Sequence, residues 1–415
     1  MIRLREIQCR LLVTVLLLTV PAPAQTPDHA AEGIKALEAQ KYDEAVAAFT
    51  KAVAADPKDY YAHFHLALSY SMVNRDADGI LEYKKALELK PGLYEAQLNA
   101  GILLLRQKNP GEAATLLEQA VAQKPKEPRP RYYLGEALLA IGDNAHAEEH
   151  LKIVVAQDPK PAAQVALAHA LSRQNRLDEA APYFREAARI DPSYQDALLE
   201  LGELYERAKR SGEAIEIYRQ FPNNPTARER MGTLLLETKK YAEALPELEA
   251  AYAKQPTTAN RTALGAAYLF TNKLDQALPL LEKSVADEPA NFDLRMMYAR
   301  ALRDRKQYPA AAKQFAEALK VKGDDRPAWN EFAGMLYLVG ALPQALAAFD
   351  KARQLGEETA ANWYFRAIIQ DKLKDYKPAI ESYGRFLSLS QGKNADEEFK
   401  ARQRIKVIQK ELSKH

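Results

Sequence analysis

The sequence predicts an all-α fold, a row of about eleven stacked helical hairpins closed by a C-terminal capping helix. Three observations lead there. Pro57, Pro91, Pro125 and Pro159 stand 34 residues apart, and a fixed period of this length marks small stacked units and not one large core. Within each interval the apolar residues come in two bursts at spacings of three and four, the signature of two amphipathic helices. A small residue, Gly or Ala, returns at a fixed place in each burst.

Residues 94 to 127 show how one unit is built. Gln97, Ala100, Gly101 and Leu104 mark the first helix. A polar break is expected at Lys108, Asn109 and Pro110, with Gly111 just behind it. Ala113, Leu117 and Ala120 carry the second helix, which Pro125 stops because it has no N–H to donate. Gly101 and Ala113 have too little side chain to hold the two axes apart. Projected along the chain, units begin near residues 26, 60, 94, 128, 161, 195, 225, 258, 292, 326 and 360. The sixth is short, with 30 residues before the next start, and ends in Phe221-Pro222-Asn223-Asn224-Pro225. Its second helix is expected to stop early.

This pattern resembles the tetratricopeptide repeat, with its Trp, Leu-Gly and Tyr in the first helix and Ala, Phe, Ala and Pro in the second. Gly33, Gly101, Gly135, Gly202, Gly232 and Gly265 meet the Gly position. The first Ala of the second helix is met by Ala45, Ala113, Ala147, Ala180, Ala214, Ala244, Ala277, Ala311, Ala345 and Ala379. Phe49, Tyr83, Phe184, Tyr218, Phe315, Phe349 or Tyr383 follows four residues on. The early Trp is present only as Trp329 and Trp363, and Gly79 stands where Ala is usual. The resemblance implies a right-handed α-solenoid.

Four segments follow. Residues 1–24 read as a secretion signal: Arg3, Arg5 and Arg10, then the apolar run Leu11 to Val20, then Ala22-Pro23-Ala24 as a cleavage site. Ten helical residues span about 15 Å, half a bilayer core, so cleavage after Ala24 is expected over retention as an anchor. Residues 25–221 form an N-terminal array of units one to six, and 222–391 a C-terminal array of units seven to eleven. Residues 392–415 form the cap, with Asn394 as N-cap, acids Asp396, Glu397 and Glu398 in the first turn, and an apolar stripe of Ala401, Ile405, Ile408 and Leu412.

The whole chain carries 58 basic and 56 acidic residues. Loss of Arg3, Arg5, Arg10 and Glu6 with the signal leaves 55 of each, and removes Cys9, the single cysteine. A neutral chain lacks the field that drives nucleic-acid binding, and a cysteine-free product suits an oxidising compartment. A periplasmic or secreted location is the expectation, with no stable membrane insertion after cleavage.

Chemistry is sparse. His146-Ala147-Glu148-Glu149-His150 fits the H-x-x-E-H pattern of a zinc hydrolase. In the repeat register Ala147 is the buried small residue, so His146 and His150 are expected to flank it on the outer side, as surface histidines. No phosphate loop, no G-x-S-x-G and no cofactor motif is present. The sequence therefore points away from an enzyme, and neither metal nor cofactor is expected.

In proteins with this repeat the first helices line an inner wall that holds a partner's segment. Positions 2, 5, 9, 12 and 13 of each unit should face it. In units two to four these bring Tyr61, Phe64, Leu68, Met72, Leu98, Ile102, Leu105, Arg129 and Tyr132, with Asn99 beside them. Units six and seven bring an acidic set, Asp196, Glu203, Glu206, Glu229 and Glu237. Units nine to eleven bring Met296, Arg300, Arg303, Asn330, Tyr337, Tyr364, Ile368 and Lys372. Two roles stay open for each apolar position: contact with a partner, or packing between neighbouring first helices. Asn99 and Arg129 sit where related proteins grip a C-terminal carboxylate, but Phe64, Leu68 and Tyr133 replace the companions, so that clamp is not expected. The expected partner is a protein or peptide segment, and self-association through the end units stays open.

Overall fold

A computed structural model describes residues 29–356 and 359–413. The proposed signal segment and its cleavage site lie outside them. Among the described residues there are 23 α-helices and no strand. None of these helices is long and apolar enough to cross a membrane.

The chain divides into two compact units, one ending at Lys209 and the other beginning at Arg210. The first holds five hairpins: α1 (His29–Glu38) with α2 (Tyr42–Ala55), α3 (Tyr60–Met72) with α4 (Asp76–Leu89), α5 (Tyr94–Arg106) with α6 (Pro110–Gln123), α7 (Pro128–Ile141) with α8 (Asn144–Gln157), and α9 (Pro161–Arg173) with α10 (Leu177–Ile190). A short 3₁₀ turn, Pro192–Tyr194, then leads into α11 (Gln195–Arg207). The second unit opens with α12 (Ser211–Tyr218), followed by α13 (Pro225–Glu237) with α14 (Tyr241–Lys254) and α15 (Thr258–Phe270) with α16 (Leu274–Asp287). It continues with α17 (Phe292–Asp304) and α18 (Tyr308–Val321), α19 (Arg326–Leu338) and α20 (Leu342–Gln354), then α21 (Ala360–Lys372), α22 (Tyr376–Ser390) and the terminal α23 (Ala395–Leu412).

Ten projected unit starts, from residue 60 to residue 360, coincide with the first residue of a helix. α12 is eight residues long, where the second helices of the hairpins have 13 to 15. The early stop before Pro222 is thus present. The break in residues 94–127 lies one residue earlier than expected: Pro110 opens α6 and does not precede it. Its fixed φ suits a first helical position, where an N–H would be unbonded anyway.

Within a hairpin the helices meet through small residues. Ten alanines, Ala45 through Ala379 in the series above, are each 0% exposed. A Cβ built on Gly33, Gly101, Gly135 or Gly232 would stand 2.6 Å from Phe49, Leu117, Leu151 or Leu248, closer than atoms pack. Between hairpins of one unit, helices pack on their chain neighbours, and successive first helices approach one another directly in the series α1, α3, α5, α7, α9 and in α13, α15, α17. Side-by-side first helices give α1 to α9, and separately α13 to α17, a face made of one helix type.

The cap differs from expectation at its start. Asn394 precedes α23, but its side chain makes no capping bond; its amide donates to Ser390 Oγ at 3.0 Å. Glu398 takes over the local bonding, accepting from the Gly392 N–H at 2.6 Å and from Arg402 at 2.9 Å. Ala401 and Ile408 are fully covered, Ile405 is half-buried, and Leu412 is 37% exposed, so the predicted stripe frays at its far end.

Candidate partner-binding surface

In the first unit the face begins on α3. Asp59 caps that helix by accepting from the Tyr61 N–H at 2.9 Å, which fixes Tyr61 in the first turn. The Tyr61 ring stands half-buried with its edge toward His65, centroids 4.3 Å apart. Burial, then the nearby Asp59 carboxylate, raises its phenol pKa. Met72, Asn99, Leu105, Arg129 and Tyr132 are half-buried too. Asn99 Nδ2 donates to the buried Tyr83 hydroxyl at 3.3 Å, and the Tyr132 ring lies edge-on to Tyr133 at 5.2 Å. The Arg129 Nη2 is buried without a hydrogen-bond partner.

Four expected wall residues are interior. Phe64, Leu68, Leu98 and Ile102 are 0, 1, 2 and 4% exposed. Of their two open roles, packing between neighbours is the one they fill, because α3, α5 and α7 approach closely enough to cover positions 5 and 9. Phe64 meets Tyr83 edge-to-face at 5.5 Å, a core contact.

Further along the same unit, position 9 turns ionisable. Glu136 on α7 and His169 on α9 occupy it, and neither is among the expected wall residues. The register that selected Leu68 and Ile102 would have found both. His169 Nε2 lies 3.0 Å from Glu200 Oε2 on α11. Burial raises the Glu136 carboxyl, opposed by the charges of His169 and Arg173. Burial also raises Glu200, but the His169 bond and the charges of His169, Arg207 and Arg173 leave it below the ordinary value. Arg173 itself donates to the Leu139 carbonyl at 2.7 Å. Here the face carries both signs of charge in reach of a partner.

The acidic set divides. Asp196 is exposed and Glu203 and Glu206 are half-buried in the first unit, while Glu229 (half-buried) and Glu237 (exposed) belong to the second. On the second unit's face Glu331 accepts from Arg300 at 2.6 Å and from Arg303 at 2.8 Å. Asn362 donates to Asn330 at 3.1 Å, Met296 is 4% exposed, and the Tyr364 ring sits 4.7 Å from Phe386.

The H-x-x-E-H residues are engaged elsewhere. His146 is exposed and binds Asp143 Oδ2 at 2.7 Å, which raises its pKa. His150 is half-buried, and its Nδ1 meets the Arg131 guanidinium at 3.2 Å. Burial and that cation push its pKa down. A guanidinium at the point where a dication would bind is unfavourable to a metal. Among the described residues no group of three or more His, Cys, Asp or Glu side chains is placed to hold one.

The fold and its surface define a helical-repeat protein, one that spreads its chemistry over the faces of successive helices. Sequence profiles of the tetratricopeptide repeat match residues 31–94, 104–171, 165–227 and 268–336, together more than half of the chain. The chain belongs to the tetratricopeptide repeat family, whose members bind protein partners and are generally non-catalytic. A curated relative, the anaphase-promoting complex subunit CDC16 of Saccharomyces cerevisiae, is 24% identical over 222 residues, covering 50% of this chain. The match covers 26% of that protein, so the chain spans about a quarter of the relative's length. Among solved structures, MamA from Desulfovibrio magneticus RS-1 (residues 41 to the end) is 21% identical, covers 41% of this chain and 98% of its own, and has a TM-score of 0.38. MamA MSR-1 is 23% identical, covers 40% and 95%, with a TM-score of 0.38.

Proposed function

We propose that this chain is a non-catalytic scaffold of the periplasm or cell envelope that holds a segment of a partner protein against its first-helix faces. The observation that carries this is the half-buried, aromatic-containing face of α3, α5 and α7, where Tyr61, Met72, Leu105 and Tyr132 stay partly open although their neighbours are fully packed. Tyr is a frequent interface anchor, since one side chain supplies both apolar area and a hydroxyl. The charged set Glu136, His169 and Glu200 extends the face with groups that select among partners. Export through residues 1–24, with cleavage after Ala24, completes the proposal. It is supported by the basic start, the apolar run and the small-residue site in the sequence.

The test is a Tyr61→Ala/Tyr132→Ala double variant in pull-down from envelope extract, with circular dichroism as the fold control. Specific recovery should fall at least about tenfold, the scale expected from losing two anchors worth about 1 kcal/mol or more each. Undiminished recovery at intact helicity removes this face. Sequencing the mature N-terminus tests export separately: a start at Gln25 supports it, and a retained segment favours an anchored form.

A further inference from the structure

The terminal helix α23 turns one side inward and one outward, and the outward side is not purely polar. Inward, Ala401, Ile405 and Ile408 join Tyr383 and Phe386 of α22 in one core. Outward, at about 3.6 residues per turn, Phe399, Gln403, Lys406 and Lys410 fall within about 60° of one another, with Lys400 and Val407 beside them. All six are exposed. Phe399 is 62% exposed and Val407 44%, and neither belongs to that core. A phenyl ring in the middle of the solvent side of a capping helix contributes nothing to the packing of the cap.

Charge is arranged around that ring. The acids of α23 stand at its ends, Asp396, Glu397 and Glu398 in the first turn and Glu411 in the last. From Phe399 to Lys410 there are five cations and no carboxylate. The cations divide by type. Both arginines bind within the protein, Arg402 to Glu398 at 2.9 Å and Arg404 to Asp371 at 2.5 and 2.8 Å. Among the described residues no carboxylate pairs with Lys400, Lys406 or Lys410. These three span about 15 Å of helix. An ammonium on a flexible stem reaches a charged surface without demanding a fixed geometry.

We propose that the outward face of α23 docks on an anionic lipid bilayer, with Phe399 entering the headgroup layer and Lys400, Lys406 and Lys410 meeting lipid phosphates. Shape and chemistry select this occupant. A single helix face is convex, and it lies along a flat, deformable surface without needing a groove. A bilayer sets negative charge directly over hydrocarbon, which matches lysines around an apolar ring. An acidic peptide matches the lysines alone. Nucleic acid calls for a broad positive field, and this chain carries nearly balanced charge. The contact is peripheral and reversible, because one ring and three cations make a modest anchor. It is independent of the first-helix faces and of the fate of residues 1–24.

The experiment uses the purified full chain and vesicles of phosphatidylcholine, alone or with about one-third phosphatidylglycerol, at about 0.1 M salt. Residues 1–24 carry an apolar run of their own, so the readout is local to α23. Phe399→Trp places a reporter on the outward face, and the wild type, with Trp329 and Trp363, gives the background. On anionic vesicles whose lipid chains are brominated near the headgroup, Phe399→Trp should be quenched beyond that background. The extra quenching should be absent on neutral vesicles and fade at about 0.5 M salt. Adding Lys406→Glu and Lys410→Glu should raise the lipid concentration needed for it at least about tenfold, with Tm unchanged because all three positions are exposed. No extra quenching from residue 399 overturns the proposal, however firmly the chain sediments with vesicles. Extra quenching that ignores the lysine changes overturns it too. Tighter binding to polyglutamate or to a single-stranded oligonucleotide than to the anionic vesicles, or a dimer that Phe399→Ser dissolves, gives the face another occupant and also overturns it.

Discussion

His65 is the side chain with most at stake in its surroundings. It is fully buried, stacked on Phe49 at 5.4 Å and edge-on to Phe64 at 5.1 Å, and neither ring nitrogen has a partner. Burial lowers its pKa to about 4. Above pH 6.5 the ring is neutral in both folded and unfolded chains. Between pH 6.5 and 4 only the unfolded chain takes up the proton, so stability falls as pH falls through that window. Between pH 7.5 and 4.5 the loss from this group should be about 2–3 kcal/mol. Urea unfolding of the wild type and His65→Phe at both pH values measures it; an equal pH loss in the two would show that His65 contributes nothing. A second residue-scale test is Gly101→Ala or Gly135→Ala. Each puts a methyl group within 2.6 Å of a buried leucine, and each should cost about 1–3 kcal/mol by overpacking. The glycine and alanine positions were legible in the sequence because they recur every 33 or 34 residues, outside the short sixth unit. His65 was not, since sequence shows which face a residue takes and not whether a polar atom on it finds a partner.

At the element scale, the turns inside hairpins carry a feature that the sequence pattern hides. Gln40, Asn74, Lys108, Asn175, Lys239, Asn272, Lys306 and Lys374 all have φ between +58° and +64°, with Gly142 and Gly340 in the same role. In one such turn the Asn109 N–H bonds to Leu104 O at 2.8 Å and the Lys108 N–H to Leu105 O at 3.0 Å, closing the first helix as a Schellman motif. Glycine is the usual residue there, and its scarcity is why composition did not mark these caps. Lys306→Gly, at an exposed turn with φ of 64°, should therefore stabilise the chain by about 0.5–1 kcal/mol. A lower urea midpoint in that variant would refute the strain argument. Pro182, Pro246 and Pro279 lie inside second helices without ending them. All three are exposed, so water can satisfy the carbonyl each leaves unbonded. The cap helix is held differently. Arg404 forks onto Asp371 at 2.5 and 2.8 Å, joining α23 to α21. Arg404→Ala leaves a mostly buried carboxylate unpaired and should cost about 1–2 kcal/mol, discounted for the partly exposed guanidinium. Hydrogen exchange should show the loss confined to α21, α22 and α23.

For the molecule as a whole, the repeat was the most legible property. Unit starts fell on helix starts from residue 60 to residue 360 because packing of each hairpin on the next permits little drift in length. The surface was less legible. The register told which positions share a face, but the closeness of α3, α5 and α7 buried half of the aromatic and aliphatic set. Helix spacing depends on side chains of both neighbours at once, and one helical pattern read alone does not contain it.

Photocrosslinking in living cells, with a photoreactive residue placed in turn at exposed first-helix and second-helix positions, addresses most directly where this chain meets other proteins. Adducts should arise from first-helix positions such as Tyr61, Tyr132 and Phe365. Second-helix positions such as Leu81, which is 64% exposed, should give none. Adducts concentrated on second helices, with first-helix positions silent, would contradict the assignment of binding to the first-helix faces.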